Sequence, residues 1–291
     1  MYPAPPELRT RIFAHVPGAT LLEGPSFDRR GDLWVTDIPN GRIARISPGG
    51  EVTIVAQYDG EPNGLKIHCD GRIFIADHKQ GLLLLDPASG KVSVVLDRPY
   101  RERFKGLNDL VFARNGDLYF TDQGESDLRD PTGQLFRYTP DGRLDCLLDC
   151  VPSPNGLVLT PDEKILLLAV TRMNAVWRVP IAPVGPHGVG RLGVGRVGIH
   201  VYLSGGLGPD GMAMDVQGRI AVAHPGSGNV WVFDRAGEPV WRIRCVEGTF
   251  ATNVAYGGPE MKTLYITEVE SATVQVADLD VPGMRMYSHQ D

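Results

Sequence analysis

The sequence predicts an all-β fold: a six-bladed β-propeller with four antiparallel strands per blade, closed by an N-terminal strand. Three observations carry this reading. First, a motif of Asn, Asp or Glu, then a small or polar residue, then apolar residues recurs six times, about 40 to 55 residues apart, a period typical of propellers. Second, each copy opens a short apolar strand, followed after a tight turn by a strongly apolar one. Third, the sixth copy runs short of a fourth strand, while Arg11-Ile12-Phe13-Ala14-His15-Val16 is left over before the first copy. That leftover piece is expected to pair with the last blade and close the ring.

The six opening motifs are Glu23-Gly24-Pro25, Pro62-Asn63-Gly64-Leu65, Leu107-Asn108-Asp109-Leu110, Ser153-Pro154-Asn155-Gly156-Leu157, Pro209-Asp210-Gly211-Met212 and Thr252-Asn253-Val254. The second strand of each blade is a run such as Leu33-Trp34-Val35-Thr36, Ile73-Phe74-Ile75-Ala76, Ile165-Leu166-Leu167-Leu168 or Leu264-Tyr265-Ile266-Thr267. Short apolar runs bounded by turn residues fit strands buried on both faces. Asp70-Gly71 and Asn115-Gly116 supply the positive φ that two-residue hairpins need before two of these strands. Third strands follow, among them Gly41 to Ile46, Gln134 to Tyr138 and Asn229 to Phe233. Fourth strands are visible early, at Val52 to Ala56 and Val92 to Leu96. Repeats run from end to end without a linker, so residues 1–291 read as one domain.

One stretch breaks the rhythm. Ile181 to Gly208 is rich in Gly and Pro and holds two overlapping GxGxxG matches, 188–193 and 193–198. Neither opens a helix after a strand, so a dinucleotide site fails on context and a long hairpin or surface loop is expected.

Composition narrows the classes further. The chain has 291 residues and a formal net charge of −6, which excludes the basic face of a nucleic-acid binder. No apolar run approaches the length of a membrane span. The N-terminus lacks the basic and apolar regions of a signal peptide, and four cysteines without a CxxC pair read as reduced thiols, so a cytoplasmic protein is expected. Cys146 and Cys150 are placed on one strand, roughly 13 Å apart and too far to bridge. A monomer or small homo-oligomer is expected.

In a propeller, the first residues of the inner strands ring one mouth of a central channel. Glu23, Asn63, Asn108, Asn155, Asp210 and Asn253 are therefore expected to face a common axis. Such a ring of oxygens is costly if unsatisfied, and a hard cation satisfies it. Carboxylate and amide oxygens without thiolate favour Ca²⁺, Mg²⁺ or Mn²⁺ over a soft metal. Two carboxylates would balance a divalent charge.

The blocks Glu23-Gly24-Pro25, Leu107-Asn108-Asp109, Pro154-Asn155-Gly156-Leu157 and Pro209-Asp210-Gly211-Met212 resemble the signature of the SMP-30/gluconolactonase/luciferin-regenerating-enzyme family, over nearly the whole chain. The resemblance implies a six-bladed propeller with one divalent metal in the channel, and a hydrolase that opens a lactone to a hydroxy acid. It implies Glu23, Asn155 and Asp210 as metal ligands, with Asn108 as a fourth ligand or a contact to substrate oxygens. It also implies Asp210 as general base or proton donor. Ca²⁺ is the first choice of cation, with Zn²⁺, Mg²⁺ and Mn²⁺ as alternatives. Some animal members carry an Arg two residues before the Asn of the second of these blocks; here that place is Gly106, and Lys105, Arg103 or Arg101 would supply the charge. Asp122 and Glu125 are the loose candidates for an acidic substrate contact. Relatives of this architecture that hydrolyse phosphotriesters define one alternative, and a non-catalytic metal- or ligand-binding propeller another.

Two histidines, His78 and His224, follow second strands. His224 lies after the strand that follows Asp210 and is the stronger candidate for a substrate contact or proton shuttle. Asp37, Asp77, Asp122 and Glu268 end second strands at equivalent places, which points to a structural role at blade corners. The charged segment Arg98 to Lys105 leads to the third motif as a lid or recognition wall. No serine-hydrolase elbow is present.

Overall fold

Apolar side chains gather in six separate clusters, and each cluster is shared by two neighbouring repeats. Trp34 and Ile43 of the first repeat pack with Leu65, Ile75 and Leu83 of the second. Leu82 and Phe74 of the second pack with Leu110, Phe120 and Phe136 of the third. The remaining interfaces continue round the ring until Ala255 and Val274 of the sixth meet Leu22, Val35 and Ile46 of the first. A strand buried on both faces by neighbours cannot be stable alone, so each blade depends on the next.

The computed structural model describes residues 4–183 and 192–290. It is a six-bladed propeller, as expected. Counted from the axis outward, the first blade is Leu22–Phe27, Leu33–Asp37, Arg42–Ile46 and Val52–Gln57. The inner strands of the other blades are Pro62–Ile67, Leu107–Phe112, Pro154–Leu159, Met212–Met214 and Ala251–Gly257. Among the described residues, no helix is long and apolar enough to cross a membrane.

The closure expected from the leftover strand is present. Arg11–His15 pairs antiparallel with Thr273–Asp278 as the outer strand of the sixth blade. A second clasp was not foreseen: Glu7–Arg9 pairs parallel with Pro239–Arg244 and gives the fifth blade a fifth strand. Three residues give too little pattern to read as a strand from sequence. One N-terminal segment thus fastens two blades, and Thr10 between its strands donates to Gln275 Oε1 at 2.5 Å.

In the Gly- and Pro-rich stretch, Leu192–Val194 pairs antiparallel with the end of Ala175–Pro183, and Gly198–Tyr202 pairs antiparallel with its beginning. The second GxGxxG match bridges the strands Leu192–Val194 and Gly198–Tyr202 and holds no helix; most of the first lies outside the described residues. The four cysteines are free, and Cys146 and Cys150 share the strand Leu144–Val151.

The proposed corner carboxylates follow one rule. Asp37 accepts from the backbone N–H groups of Thr20 and Leu21, Asp77 from Glu61, Asp122 from Lys105 and Gly106, and Glu268 from Phe250. Each ties down the chain just before the inner strand of its own blade. These bonds fix where each opening motif begins.

Candidate metal centre and channel mouth

Five of the six opening motifs lie inside the inner strands, whereas Pro209-Asp210-Gly211 leads into the short strand Met212–Met214. In five blades the pairing between first and second strands slips at the motif, between Glu23 and Ser26, Pro62 and Leu65, Leu107 and Leu110, Pro154 and Leu157, and Ala251 and Asn253. A β-bulge bends its strand and re-aims side chains, here toward the axis. The small residue after the Asn or Asp also has a steric cause. A Cβ on Gly156 would lie 2.5 Å from the Asp210 carbonyl oxygen, and one on Gly211 would lie 1.9 Å from Asn253 Cγ. At Gly156 and Gly211 the adjacent inner strands pass too closely for a side chain. Threonine hydroxyls tie blades together at the same level: Thr36 donates to the Asn63 carbonyl at 2.6 Å and Thr121 to that of Asn155 at 3.0 Å.

Glu23, Asn253, Asp109, Asn155 and Asp210 form one connected group. The Asn253 amide donates to Glu23 Oε2 at 2.7 Å and to Asp109 Oδ2 at 3.3 Å. The Gly24 N–H also donates to Glu23 Oε2, at 2.7 Å. Asn155 hydrogen-bonds Asp210, while its own buried Oδ1 has no partner. Glu23, Asp109, Asn155 and Asn253 are buried, whereas Asp210 keeps accessible surface on the channel.

Burial and mutual repulsion dominate the electrostatics. Burial, then the Asp109 charge, pushes the Glu23 carboxyl up to about 7, against the pull of Asn253 and Gly24. Burial and the charges of Glu23 and Asp109 raise Asp210 well above the carboxylate range. Among the described residues, one cation pairs with the group: Lys66 Nζ lies 3.8 Å from Asp109 Oδ1. The sequence reading counted two carboxylates and overlooked Asp109 and Lys66. The signal for Asp109 was present, because the third motif carries Asp where the second, fourth and fifth carry Gly. With all three carboxylates ionised and Lys66 charged, the group holds two net negative charges, the complement of a divalent cation.

Among the described residues, no three His, Cys, Asp or Glu side chains are by themselves arranged to hold a metal. The donor set is instead mixed, two carboxylates and amide oxygens. Its chemistry fits a hard cation, and the unpartnered Asn155 oxygen is the atom such an ion would satisfy.

Asn108 is buried beside this group and oriented from outside. Its Nδ2 donates to Gln123 Oε1 at 3.0 Å, and Gln123 donates onward to Ser153 Oγ at 2.8 Å. With the nitrogen held, Oδ1 is the atom left to meet a ligand. Gln123 was missed because nothing in its local sequence distinguishes it. Asn63 takes part through its backbone carbonyl, which accepts from the Thr36 hydroxyl.

The three remaining candidates differ in freedom. Lys105 is exposed, and its ammonium donates to the Thr132 carbonyl at 2.6 Å. His224 is buried with both ring nitrogens engaged: Trp231 Nε1 donates to Nδ1 at 3.2 Å, which leaves Nε2–H to donate to the Gly205 carbonyl at 2.9 Å. His224 occupies the blade position that Asp37, Asp77, Asp122 and Glu268 occupy elsewhere, and like them it holds the chain ahead of an opening motif. Asp122 is committed to its two backbone donors, and burial raises its carboxyl. Arg98 to Lys105 forms an exposed loop at the mouth, anchored by Phe104 against Phe120 and Phe136 at 5.7 and 5.5 Å between ring centres.

The other end of the channel is different in kind. Gly283 to Gln290 crosses it as a floor. Met284 N–H donates to the Met214 carbonyl at 2.9 Å, and Tyr287 stacks on Phe112 at 4.8 Å. Between floor and carboxylates lies a cavity of about 140 Å³, lined among others by Lys66, Phe112, Met212, Met214 and Tyr287.

Residues 21–270 match the family described as SMP-30/Gluconolactonase/LRE-like region. The chain belongs to this family. It is 30% identical over 276 residues to a gluconolactonase from Zymomonas mobilis, covering 84% of this chain and 75% of that protein. It is 30% identical over 235 residues to lactonase drp35 from Staphylococcus aureus, covering 76% and 69%. Among solved structures, a calcium-binding protein, regucalcin, from Agrobacterium tumefaciens superposes with a TM-score of 0.80 over 98% of this chain and 99% of that one, at 22% identity. A gluconolactonase from Xanthomonas campestris gives 0.77 over 91% and 87%, at 23% identity. At those identities the two structures speak for the fold.

Proposed function

We propose that this SMP-30-like protein is a divalent-metal-dependent lactonase that opens a cyclic ester to a hydroxy acid. The observation that carries the proposal is the linked carboxylates Glu23, Asp109 and Asp210, with Asn155 hydrogen-bonded to Asp210 and its own buried Oδ1 unpartnered. The named relatives, a gluconolactonase and a lactonase, supply the reaction class.

Glu23, Asn155 and Asp210 would hold the cation, with Ca²⁺ the first choice, and Asn108 would be a fourth ligand or a contact to the substrate. When bound, such an ion supplies Lewis acidity toward a carbonyl oxygen. The chain does the rest. Asn253 and the Gly24 N–H hold one oxygen of Glu23, so its carboxylate is pre-oriented. Gln123 fixes the Asn108 amide so that its oxygen faces the ligand. Asp210 is the carboxylate with accessible surface, and it accepts a proton from the attacking water and returns it to the ring oxygen as the ester bond breaks. A carboxylate shared with a cation would be a weaker base, so Asp210 could serve in this role only through an oxygen that the ion leaves free. Lys105 can leave its carbonyl partner to meet an anionic group, whereas His224 supports the mouth.

The test is acid release on a panel of lactones, before and after chelation and with Ca²⁺ restored. Turnover is expected to vanish with chelation and return with the ion. Asp210→Asn is expected to lose about 100-fold or more in kcat while still binding metal by calorimetry. Full activity after chelation would defeat the metal reading. Turnover of phosphotriesters but not lactones would move the chemistry to phosphorus, and turnover of neither would leave a binding propeller.

A further inference from the structure

The residue after each second strand forms a second ring at the mouth, one step outside the opening motifs. Its polar members are Gln123, Thr171 and His78. Gln123 orients Asn108, and Thr171 donates to the Pro209 carbonyl at 2.8 Å. His78 alone of the three makes no side-chain hydrogen bond among the described residues. It is half-buried, and its surroundings are built around it.

The imidazole lies across the backbone of Gly106, two residues before Asn108. A Cβ at position 106 would lie 2.3 Å from His78 Cε1 and 2.5 Å from Nδ1, so only glycine fits beneath the ring. Gly106 itself has φ 152°, a conformation that L side chains rarely adopt. Both backbones are fixed. Asp122 accepts from the Gly106 N–H at 2.7 Å, and the Gly106 carbonyl accepts from Gln123 N–H at 2.9 Å. On the other side, His78 N–H donates to Glu61 at 2.9 Å, and the adjacent Asp77 accepts from Tyr58, Glu61, Lys79 and Gln80. An imidazole packed over fixed backbone, with no hydrogen bond to either nitrogen among the described residues, contrasts with His224, whose nitrogens are both used within the fold.

We infer that His78 is a substrate-binding, specificity-determining residue that recognises a hydroxyl group on the lactone ring. This rests on the lactonase reading above. A neutral imidazole offers one donor and one acceptor, the complement of an alcohol, which does both. The platform beside Asn108 places that pair at the edge of the carboxylate site. The preferred substrate class is therefore a hydroxylated lactone over one with an unsubstituted ring.

The experiment compares glucono-δ-lactone with δ-valerolactone, the same ring without hydroxyls. His78→Ala is expected to lower the preference for the hydroxylated ring, as the ratio of kcat/KM values, about tenfold. The loss is expected to fall on KM more than on kcat, and His78→Gln to restore part of it. Gly106→Ala, which displaces the ring, is expected to reproduce it. Metal binding by calorimetry and the thermal midpoint report on the site and the fold in each variant. An unchanged ratio in His78→Ala, with wild-type turnover present, would overturn the inference alone. Turnover of neither lactone by the wild type would instead overturn the lactonase reading beneath it.

Discussion

The two ends of the channel are made by the same six inner strands, yet they are opposites. Near the mouth the strands and the residues leading into them carry Glu23, Asn108, Asp109, Asn155, Asp210 and Asn253, and most of the strands are bulged there. Near the floor they carry Ile67, Phe112, Leu159, Met214 and Tyr256, their pairing is regular, and Gly283 to Gln290 covers them. The first half concentrates like charge in a buried place and so opposes folding. The second half buries apolar area and so supports it. One strand thus contains both a destabilised site and the packing that offsets it.

The contrast can be broken by mutating each end in turn. Glu23→Gln is expected to cost about 100-fold or more in turnover through lost metal affinity, yet to leave the metal-free protein equally or more stable, since a buried charge is removed. Lactone hydrolysis and thermal unfolding in chelator measure the two effects. Met214→Ala at the floor is expected to do the reverse, keeping turnover within a few-fold while costing about 2–5 kcal/mol. A floor variant that lost turnover without losing stability would show that the ends are not separable.

A pH series sharpens the same point. Glu23 is raised from 4.5 to about 7 in the metal-free fold. Below 4.5 both folded and unfolded chains are protonated there. Between 4.5 and about 7 the unfolded chain releases a proton that the folded one retains, so metal-free stability falls as pH rises through that window. A bound cation keeps the carboxylate ionised and removes the loss. The rise in thermal midpoint on adding Ca²⁺ is therefore expected to be greater at about pH 8 than at about pH 5. An equal rise at both would exclude Glu23 from the site.

The smallest effect concerns Lys66, which touches both regions. Lys66→Met removes the cation opposite Asp109 and leaves a more negative group. Divalent metal is expected to bind about fivefold more tightly, read by calorimetry, because a nearby repulsive charge is gone. Weaker binding would mean that Lys66 organises the site instead of opposing the ion.

Much of this molecule was legible in its sequence. The six opening motifs and the apolar runs after them gave the blade count, because propeller blades repeat one local pattern. The short sixth repeat and the spare Arg11 to Val16 gave the closure. The corner role of Asp37, Asp77, Asp122 and Glu268 followed from their equivalent places. Lys66, Asp109, Gln123 and the floor were not legible as partners, and His224 looked freer than it is. No local pattern marks Lys66 or Gln123, and Trp231, which holds His224, contacts it across a strand pairing.

The sequence by itself determined which residue types begin each inner strand and how often, since periodicity is a property of the chain. Only the tertiary structure decided which of those side chains meet. The bulges turn most of them inward, the close passage of neighbouring strands demands glycine beside Asn155 and Asp210, and contacts between distant repeats, such as Asn253 with Glu23, set their charge. Those distances depend on closing the ring, and no window of the sequence contains them.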